Sequence, residues 1–166
     1  MAEGARDPFL ESWAVGDVFE PTFLELYQEH FAPMVRLAVV LTGVEASAED
    51  LVHDTFIRVH ARWRRIENPP AYLRRSVVNA CRSSRRRARR ERRAASFAVQ
   101  GVVDLDANEL FDALGRLPYR QRAALVLRYY EGLTHAEIAE VLECREGTAS
   151  SLIHRGLAQL RRTVGR

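Results

Sequence analysis

From Leu133 to Arg162 the chain reads Leu-Thr-His-Ala-Glu-Ile-Ala-Glu-Val-Leu-Glu-Cys-Arg-Glu-Gly-Thr-Ala-Ser-Ser-Leu-Ile-His-Arg-Gly-Leu-Ala-Gln-Leu-Arg-Arg, a stretch that few folds satisfy. Thr134, with Glu137 three residues on, forms a capping box that satisfies two orphan backbone donors at a helix start. Ile138, Ala139 and Leu142 give that short helix one apolar face. A break at residues 143–145 follows. A second, longer helix then carries Leu152, Ile153, Leu157 and Leu160 inward, mostly at three- and four-residue spacings. Two short helices joined by a tight turn predict a helix-turn-helix, with Ala139 small where the helices must cross closely. A plain helical hairpin shares much of this pattern. The cap, the turn and the Arg-ended second helix together point to DNA.

The chain has 166 residues, enough for one ordinary domain or two small helical ones, and 47% of them are apolar, as a folding chain requires. No apolar run approaches a membrane span, and the N-terminus is acidic rather than a basic-then-apolar leader, so a cytoplasmic location is expected. Cys81 and Cys144 lie far apart in no metal or redox motif and read as small buried hydrophobes. His30, His53, His60, His135 and His154 fall on predicted helices, with no nucleophile, carboxylate pair or Gly-rich phosphate loop to complete a site. His53, Asp54 and His60 read as exposed helix polarity rather than metal ligands. No cofactor, metal or catalytic residue is expected.

Net charge is only +3, but its distribution is uneven. Residues 1–57 hold 11 acidic and 2 basic side chains, residues 58–93 hold 14 Arg and 2 Glu, and residues 94–166 hold 9 of each sign. An acidic segment beside an intensely basic one implies two kinds of partner.

Taken in order, residues 1–20 show no sustained period and read as a mobile arm. Thr22 starts a helix carrying Phe23, Leu26, Tyr27 and Phe31. Pro33 suits the first turn of another, with Met34, Val35, Leu37, Ala38 and Leu41 inward and Gly43 as its stop. Ser47-Ala-Glu-Asp50 predicts the next start, and Val52, Phe56, Val59 and Trp63 form its stripe. After Ile66-Glu-Asn-Pro-Pro70, a helix turns Tyr72, Leu73, Val77, Ala80, Cys81 and Ser84 inward. The period lapses at 94–105, a linker, and a second domain runs over 106–166 with Asp106 as cap. Its first faces are Leu110, Phe111, Leu114 and Leu117, then Ala123, Val126, Leu127 and Tyr130, closed by Gly132. No strand pattern occurs. The expectation is an all-α chain of two small helical domains, 21–93 and 106–166, the second a helix-turn-helix.

Glu49, Asp50 and Asp54 lie off the apolar stripe, which fits either a solvated face or a docking surface for a basic partner. The arginines from Arg74 to Arg93 repel one another at i,i+4 along their helix unless an anion lies near. A polyanion would relieve that repulsion through counterion release. Trp63, Asn68 and Tyr72 beside them supply the stacking and hydrogen-bonding groups that hold unpaired bases. Spacing alone leaves duplex and single strand open.

Two segments resemble a known family. Ala48-Glu-Asp-Leu-Val-His-Asp-Thr-Phe-Ile-Arg-Val59 with Trp63 and the Arg-rich helix from Pro70 resembles the N-terminal domain of extracytoplasmic-function sigma factors of bacterial RNA polymerase. Leu117-Pro-Tyr-Arg-Gln-Arg-Ala-Ala-Leu-Val-Leu-Arg-Tyr-Tyr-Glu-Gly-Leu-Thr-His-Ala-Glu-Ile-Ala-Glu-Val-Leu142 resembles their C-terminal domain, and size and Arg-only basicity resemble the small actinobacterial branch. The resemblance implies a non-catalytic specificity subunit with core polymerase and promoter DNA, duplex and melted, as partners, and often an anti-sigma factor. It implies polymerase docking at Glu49, Asp50, Asp54 and Arg58. It implies −10 recognition by Trp63, Arg64, Arg65, Asn68, Tyr72, Arg74, Arg75, Asn79, Arg82, Arg85 and Arg86. It implies −35 contacts by Arg145, Glu146, Thr148, Ser150, Ser151, His154 and Arg155.

The sequence departs from that pattern in the turn, where the family commonly has Leu-Gly-Cys-Ser and this chain has Leu142-Glu143-Cys144-Arg145. In the reading helix, two commonly cationic positions are Ser150 and Leu152, so a weak or unusual −35 interaction is expected. Two other readings stay open. A free-standing regulator shares the Leu-Thr-x-x-Glu-Ile-Ala pattern but needs a receiver or ligand domain that residues 1–93 offer no strands to build. A sigma-like adaptor or antagonist would use the acidic helix alone.

Overall fold

The computed structural model describes residues 21–94 and 109–164, and the regular elements among them are all helical. The expected arm, residues 95–105 of the expected linker and the expected cap Asp106 lie outside the described residues.

Helix α1, Pro21–Thr42, runs unbroken through Pro33, which was expected to open a new helix. An interior proline costs about 3 kcal/mol. Phe23, Leu26, Met34, Leu37, Ala38 and Leu41 are buried in one continuous register across it, and each such side chain contributes about 1.5–3 kcal/mol. Burial of the stripe outweighs the lost bond. Gly43 stops the helix as expected, at φ 78° with its N–H donated to the Val39 carbonyl at 2.7 Å.

Helix α2, Glu45–His60, begins two residues before the expected start. Val44 takes the cap position in extended conformation, and Ser47 lies inside the first turn with its hydroxyl donated back to the Val44 carbonyl at 3.4 Å. Ala48, Val52, Phe56 and Val59 are buried. The helix ends before Trp63, which sits in a 3-10 turn, Trp63–Arg65, with its ring edge-on to Phe23 at 5.2 Å. Two histidines join the same aromatic cluster. His53 packs on Phe31 at 4.6 Å and shares a 3.2 Å hydrogen bond with Tyr27, while His60 packs on Phe23 at 4.7 Å. They are half-buried, not exposed polarity as expected, because the α1 aromatics supply a wall to receive them.

Helix α3, Pro69–Ala94, is capped by Asn68, whose side-chain oxygen accepts the Ala71 N–H at 3.2 Å. Its buried residues are Leu73, Val77, Val78 and Cys81. Burial pushes the Cys81 thiol up to about 12, which makes it inert. Helices α1, α2 and α3 pack pairwise around one core.

Helices α4, Glu109–Arg116, α5, Tyr119–Tyr129, α6, His135–Val141, and α7, Glu146–Val164, form a second group centred on α7. The Thr134–Glu137 capping box opens α6 as the sequence requires. At Gly156 a Cβ would stand 3.0 Å from Leu125 Cδ1, so any larger residue here requires Leu125 to shift for α7 to lie this close to α5. Leu110 and Tyr130, both expected inward, are 44% and 49% exposed. They rim an open apolar groove with Val40, Leu114, Tyr129 and Leu157.

The two groups dock, α3 on α6 and α1 on α4 and α5. Tyr119 donates its hydroxyl to the Val78 carbonyl at 2.6 Å, and Val78, which lies off the expected α3 stripe, is buried. Arg122 is 2% exposed and donates to the carbonyls of Leu41, Gly115 and Leu117 at 3.1, 2.6 and 3.2 Å. Burial, and after it neighbouring Arg85, hold this guanidinium down to about 10. No helix among the described residues is long and apolar enough to cross a membrane.

Candidate nucleic-acid interface

Two cationic faces stand out, and the first is assembled by α2, the 3-10 turn and α3. Asp54 and Arg58, four apart on one face of α2, and Arg62, just past its end, line one side of a groove of about 800 Å³. Tyr72, Arg75, Asn79 and Arg87 line the other. Arg62 donates to the Tyr72 hydroxyl at 3.0 Å, and the Arg75 guanidinium stands 5.3 Å from the centre of the Tyr72 ring. Tyr72 is thereby held between two cations, a fixed aromatic plate in a positive trough. Such a trough can take phosphates along its walls and a base against the ring.

A second cleft, of about 430 Å³, opens where the docked groups meet. Arg65, Asn68, Tyr72, Arg74 and Arg75 line it on one side, and Glu137, Glu140 and Val141 on the other. Across this junction Arg74 Nε donates to Glu131 at 2.9 Å, with side-chain exposures of 21% and 8%.

Of the residues expected at the −10 element, Arg64, Arg65, Arg82 and Arg86 are exposed, and Tyr72, Arg74, Arg75 and Asn79 are half-buried around the two clefts. Three are engaged elsewhere. Trp63 belongs to the aromatic cluster, and Asn68 spends its side-chain oxygen on the helix cap. Arg85 turns to the docking seam, donating to the Leu41 carbonyl at 3.0 Å and lying 5.7 Å over the Tyr119 ring. The residues expected to meet polymerase, Glu49, Asp50, Asp54 and Arg58, are all exposed but do not share one face. Asp54 and Arg58 look into the groove. Glu49 lies on the α1 side, where burial and then its carboxylate raise the Tyr27 phenol.

The second cationic face is the start of α7. Arg145, Glu146, Thr148, Ser150, Ser151, His154 and Arg155 are all exposed, and the last four named line a shallow recess of about 550 Å³. Ser151 donates to the Gly147 carbonyl at 2.8 Å and Arg155 to the Ser151 carbonyl at 3.2 Å. Leu152, which stands where the family commonly has a cation, is buried and contributes packing only.

Helix α6 ends in a Schellman motif: Cys144 N–H bonds the Ala139 carbonyl at 2.9 Å and Glu143 N–H the Glu140 carbonyl at 3.3 Å. Glu143 occupies its left-handed position, at φ 50°, where glycine is the usual residue. Its side chain lines the arginine groove. Sequence reasoning passed over Glu140 and Arg62 in these clefts and Glu131 at the junction. Single acids carry no periodic signal, although the glutamate in a turn that usually holds glycine was a visible sign.

Comparison with known proteins gives a consistent answer. Residues 26–91 match the family model "Sigma-70 region 2", and residues 107–160 match "Sigma-70, region 4". The chain is 31% identical over 171 residues to the ECF RNA polymerase sigma factor SigM of Mycobacterium tuberculosis, covering 98% of this chain and 86% of that protein. It is 32% identical over 157 residues to the RNA polymerase sigma-E factor of Streptomyces coelicolor, covering 89% and 87%. Among solved structures it resembles the sigma factor RpoE of Bartonella quintana, in complex with the anti-sigma factor NepR. There the TM-score is 0.76 at 24% identity, over 88% of this chain and 98% of that one, a likeness of fold. CnrH in complex with the cytosolic domain of CnrY gives a TM-score of 0.65 at 26% identity, over 86% and 87%.

Proposed function

The chain belongs to the extracytoplasmic-function sigma factors of bacterial RNA polymerase, and from that premise we propose how its surfaces divide the work. Residues 21–93 act as the unit that docks on core polymerase and holds the melted −10 strand, and residues 106–166 as the unit that meets the −35 duplex, joined by the linker 94–105. The single observation that carries this reading is the arginine groove built round Tyr72, with Arg62 bonded to its hydroxyl and Arg75 over its ring. An aromatic plate flanked by fixed cations suits an unstacked base and its phosphates better than a continuous duplex. Arg64, Arg65, Arg74, Arg82 and Arg86 extend the cationic surface on either side, Asn79 adds a neutral amide to the groove wall, and Asn68 and Trp63 act by fixing the loop rather than by touching bases. Asp54 and Arg58 meet polymerase from the groove side of α2, with Asp50 exposed one turn before Asp54, and Glu49 meets it from the side toward α1.

On α7 the exposed Ser150, Ser151, His154 and Arg155 supply the −35 contacts, with Arg145, Glu146 and Thr148 at the helix entry. One strong cation among the four makes this contact weak compared with the first. The polymerisation chemistry stays with core enzyme, the protein acts in the cytoplasm, and an anti-sigma factor is a further partner, supported by the relatives solved with such partners.

The test is run-off transcription with core polymerase of the source organism on fragments of its own genome. Start sites that appear only with this protein are expected, and aligning them yields both elements. Absence of core binding would overturn the reading in favour of a free-standing regulator. Core binding without new start sites would favour an adaptor or antagonist.

A further inference from the structure

The arginine face is already met by acids of the same chain. Glu131, at the end of the turn after α5, is nearly buried and paired with Arg74 across the docking seam at 2.9 Å. Glu137 and Glu140, on α6, look across the second cleft at Arg65, Arg74 and Arg75. Glu143, at the end of α6, reaches into the main groove beside Arg58, Arg62 and Arg75. Its backbone is held in the left-handed region, which is unfavourable for any residue with a Cβ. One carboxylate of this edge, Glu131, is thus paired with the arginine face, and three more line the clefts that phosphates would enter, Glu137 while also serving the Thr134 cap.

The contact is also a built one. Tyr119 and Arg122 from α5 bond the carbonyls of Val78 on α3 and Leu41 on α1, so the acidic edge is pressed onto the groove by a packed seam. Coulomb attraction across a partly buried junction is screened less than between exposed side chains.

We propose that this acidic edge is an internal competitor for the arginine groove. In the free chain, Glu131, Glu137, Glu140 and Glu143 occupy the cationic face and hold the two helical groups closed. Single-stranded DNA and the carboxylates exclude one another there, so strand binding requires the groups to part. The inference rests on the reading of the groove as a nucleic-acid face. It adds that the groove is occluded until the seam opens. A closed population lowers apparent affinity by the fraction that is competent, so a chain open about one-tenth of the time binds about tenfold more weakly than its groove would alone.

The test uses the full chain and its Glu131→Gln/Glu143→Gly double variant, neither change touching a residue assigned to DNA. Two readings are taken: the radius of gyration by small-angle scattering, and the affinity for a fluorescein-labelled mixed-sequence single strand of about 12 nucleotides. The double variant is expected to expand and to bind the strand about tenfold more tightly. A Glu140→Gln variant, altering an exposed α6 residue, repeats the direction with a smaller gain and guards against misfolding of the first. If the radius and affinity of both variants match the parent, with the parent binding the strand, the self-occlusion is overturned and the groove reading stands. Expansion without tighter binding overturns it equally. If no form of the chain binds the strand at low salt, the groove reading itself is wrong and the competition falls with it.

Discussion

The arginine groove and the start of α7 are both cationic faces on helices, yet they are held by opposite means. The groove has charge in excess and little else to fix it locally: its order comes from the α1–α2–α3 core and from Tyr72 gripped between Arg62 and Arg75. The reading edge of α7 has few charges. What surrounds it is backbone engineering: a capping box at Thr134, a Schellman turn at Glu143 and a glycine that lets α7 lie close on α5. One face attracts a polyanion and tolerates imprecise placement, while the other depends on where its helix lies.

The largest expected consequence is in salt dependence. With about five phosphates neutralised at the groove, raising salt from about 50 to 200 mM should weaken single-strand binding roughly a hundredfold. With about two contacts at Arg145 and Arg155, the same change should weaken −35 duplex binding only about tenfold. Titrations of the two probes against salt would read both slopes. Equal slopes would break the contrast, because the α7 face would then be working by charge as well.

Placement can be disturbed without touching a charge. Gly156→Val drives two branches toward Leu125, where a single Cβ already meets Cδ1 at 3.0 Å. Overpacking of this kind costs about 1–3 kcal/mol. A lowered melting temperature is expected, with a loss of −35 duplex affinity that exceeds any loss at the single strand. If both probes suffer alike, α7 is not positioned independently of the groove.

Tyr119→Phe probes what joins the two faces. It deletes the 2.6 Å bond to the Val78 carbonyl and should cost about 1 kcal/mol, or about 2–4 °C for a chain of this size. Burial holds the phenol protonated, with its pKa raised above the ordinary 10.0. A raised acid contributes stability that is present below its unfolded value and lost as pH rises through and beyond it. The alkaline fall in melting temperature should therefore be shallower in the Phe variant.

What could be read in the sequence divides along the same line as these predictions. Periodic and local features were legible: the all-helical class, the cap at Thr134, the stop at Gly43, and the stripe of Val52, Phe56 and Val59. Competition between local signals misled at two places. Pro33 looked like a helix start because proline chemistry is local, whereas the stripe that overrides it spans all of α1. Ser47 looked like a cap because its neighbours are acidic, but Val44 was free to adopt the extended conformation three residues earlier. The seam was not legible at all. Tyr119 to Val78, Arg74 to Glu131 and Arg122 to Leu41 join residues 41, 57 and 81 positions apart, and no spacing rule links them. His53 and His60 follow the same logic, since what buries them is the aromatic wall of a different helix.

The smallest expected effect isolates the local half of that division. Glu137 accepts the Thr134 N–H at 2.8 Å and its hydroxyl at 2.8 Å, and these bonds hold the carboxyl below the usual carboxylate range. A lowered acid contributes stability that is present above its unfolded value and lost as pH falls through the folded one. Melting temperature should therefore decline on acidification partly through this group, and Glu137→Gln should flatten that portion of the curve while leaving the neutral-pH fold intact. Glutamine can still accept from the cap N–H but lacks the carboxylate charge, so the variant should lose a small part of the parent's stability near neutral pH and converge with it at low pH. The same substitution removes one acid from the edge facing Arg74 and Arg75. If Glu137→Gln instead tightened single-strand binding as strongly as the Glu131→Gln/Glu143→Gly pair, the capping role would be secondary and the acidic edge would act as one undivided field.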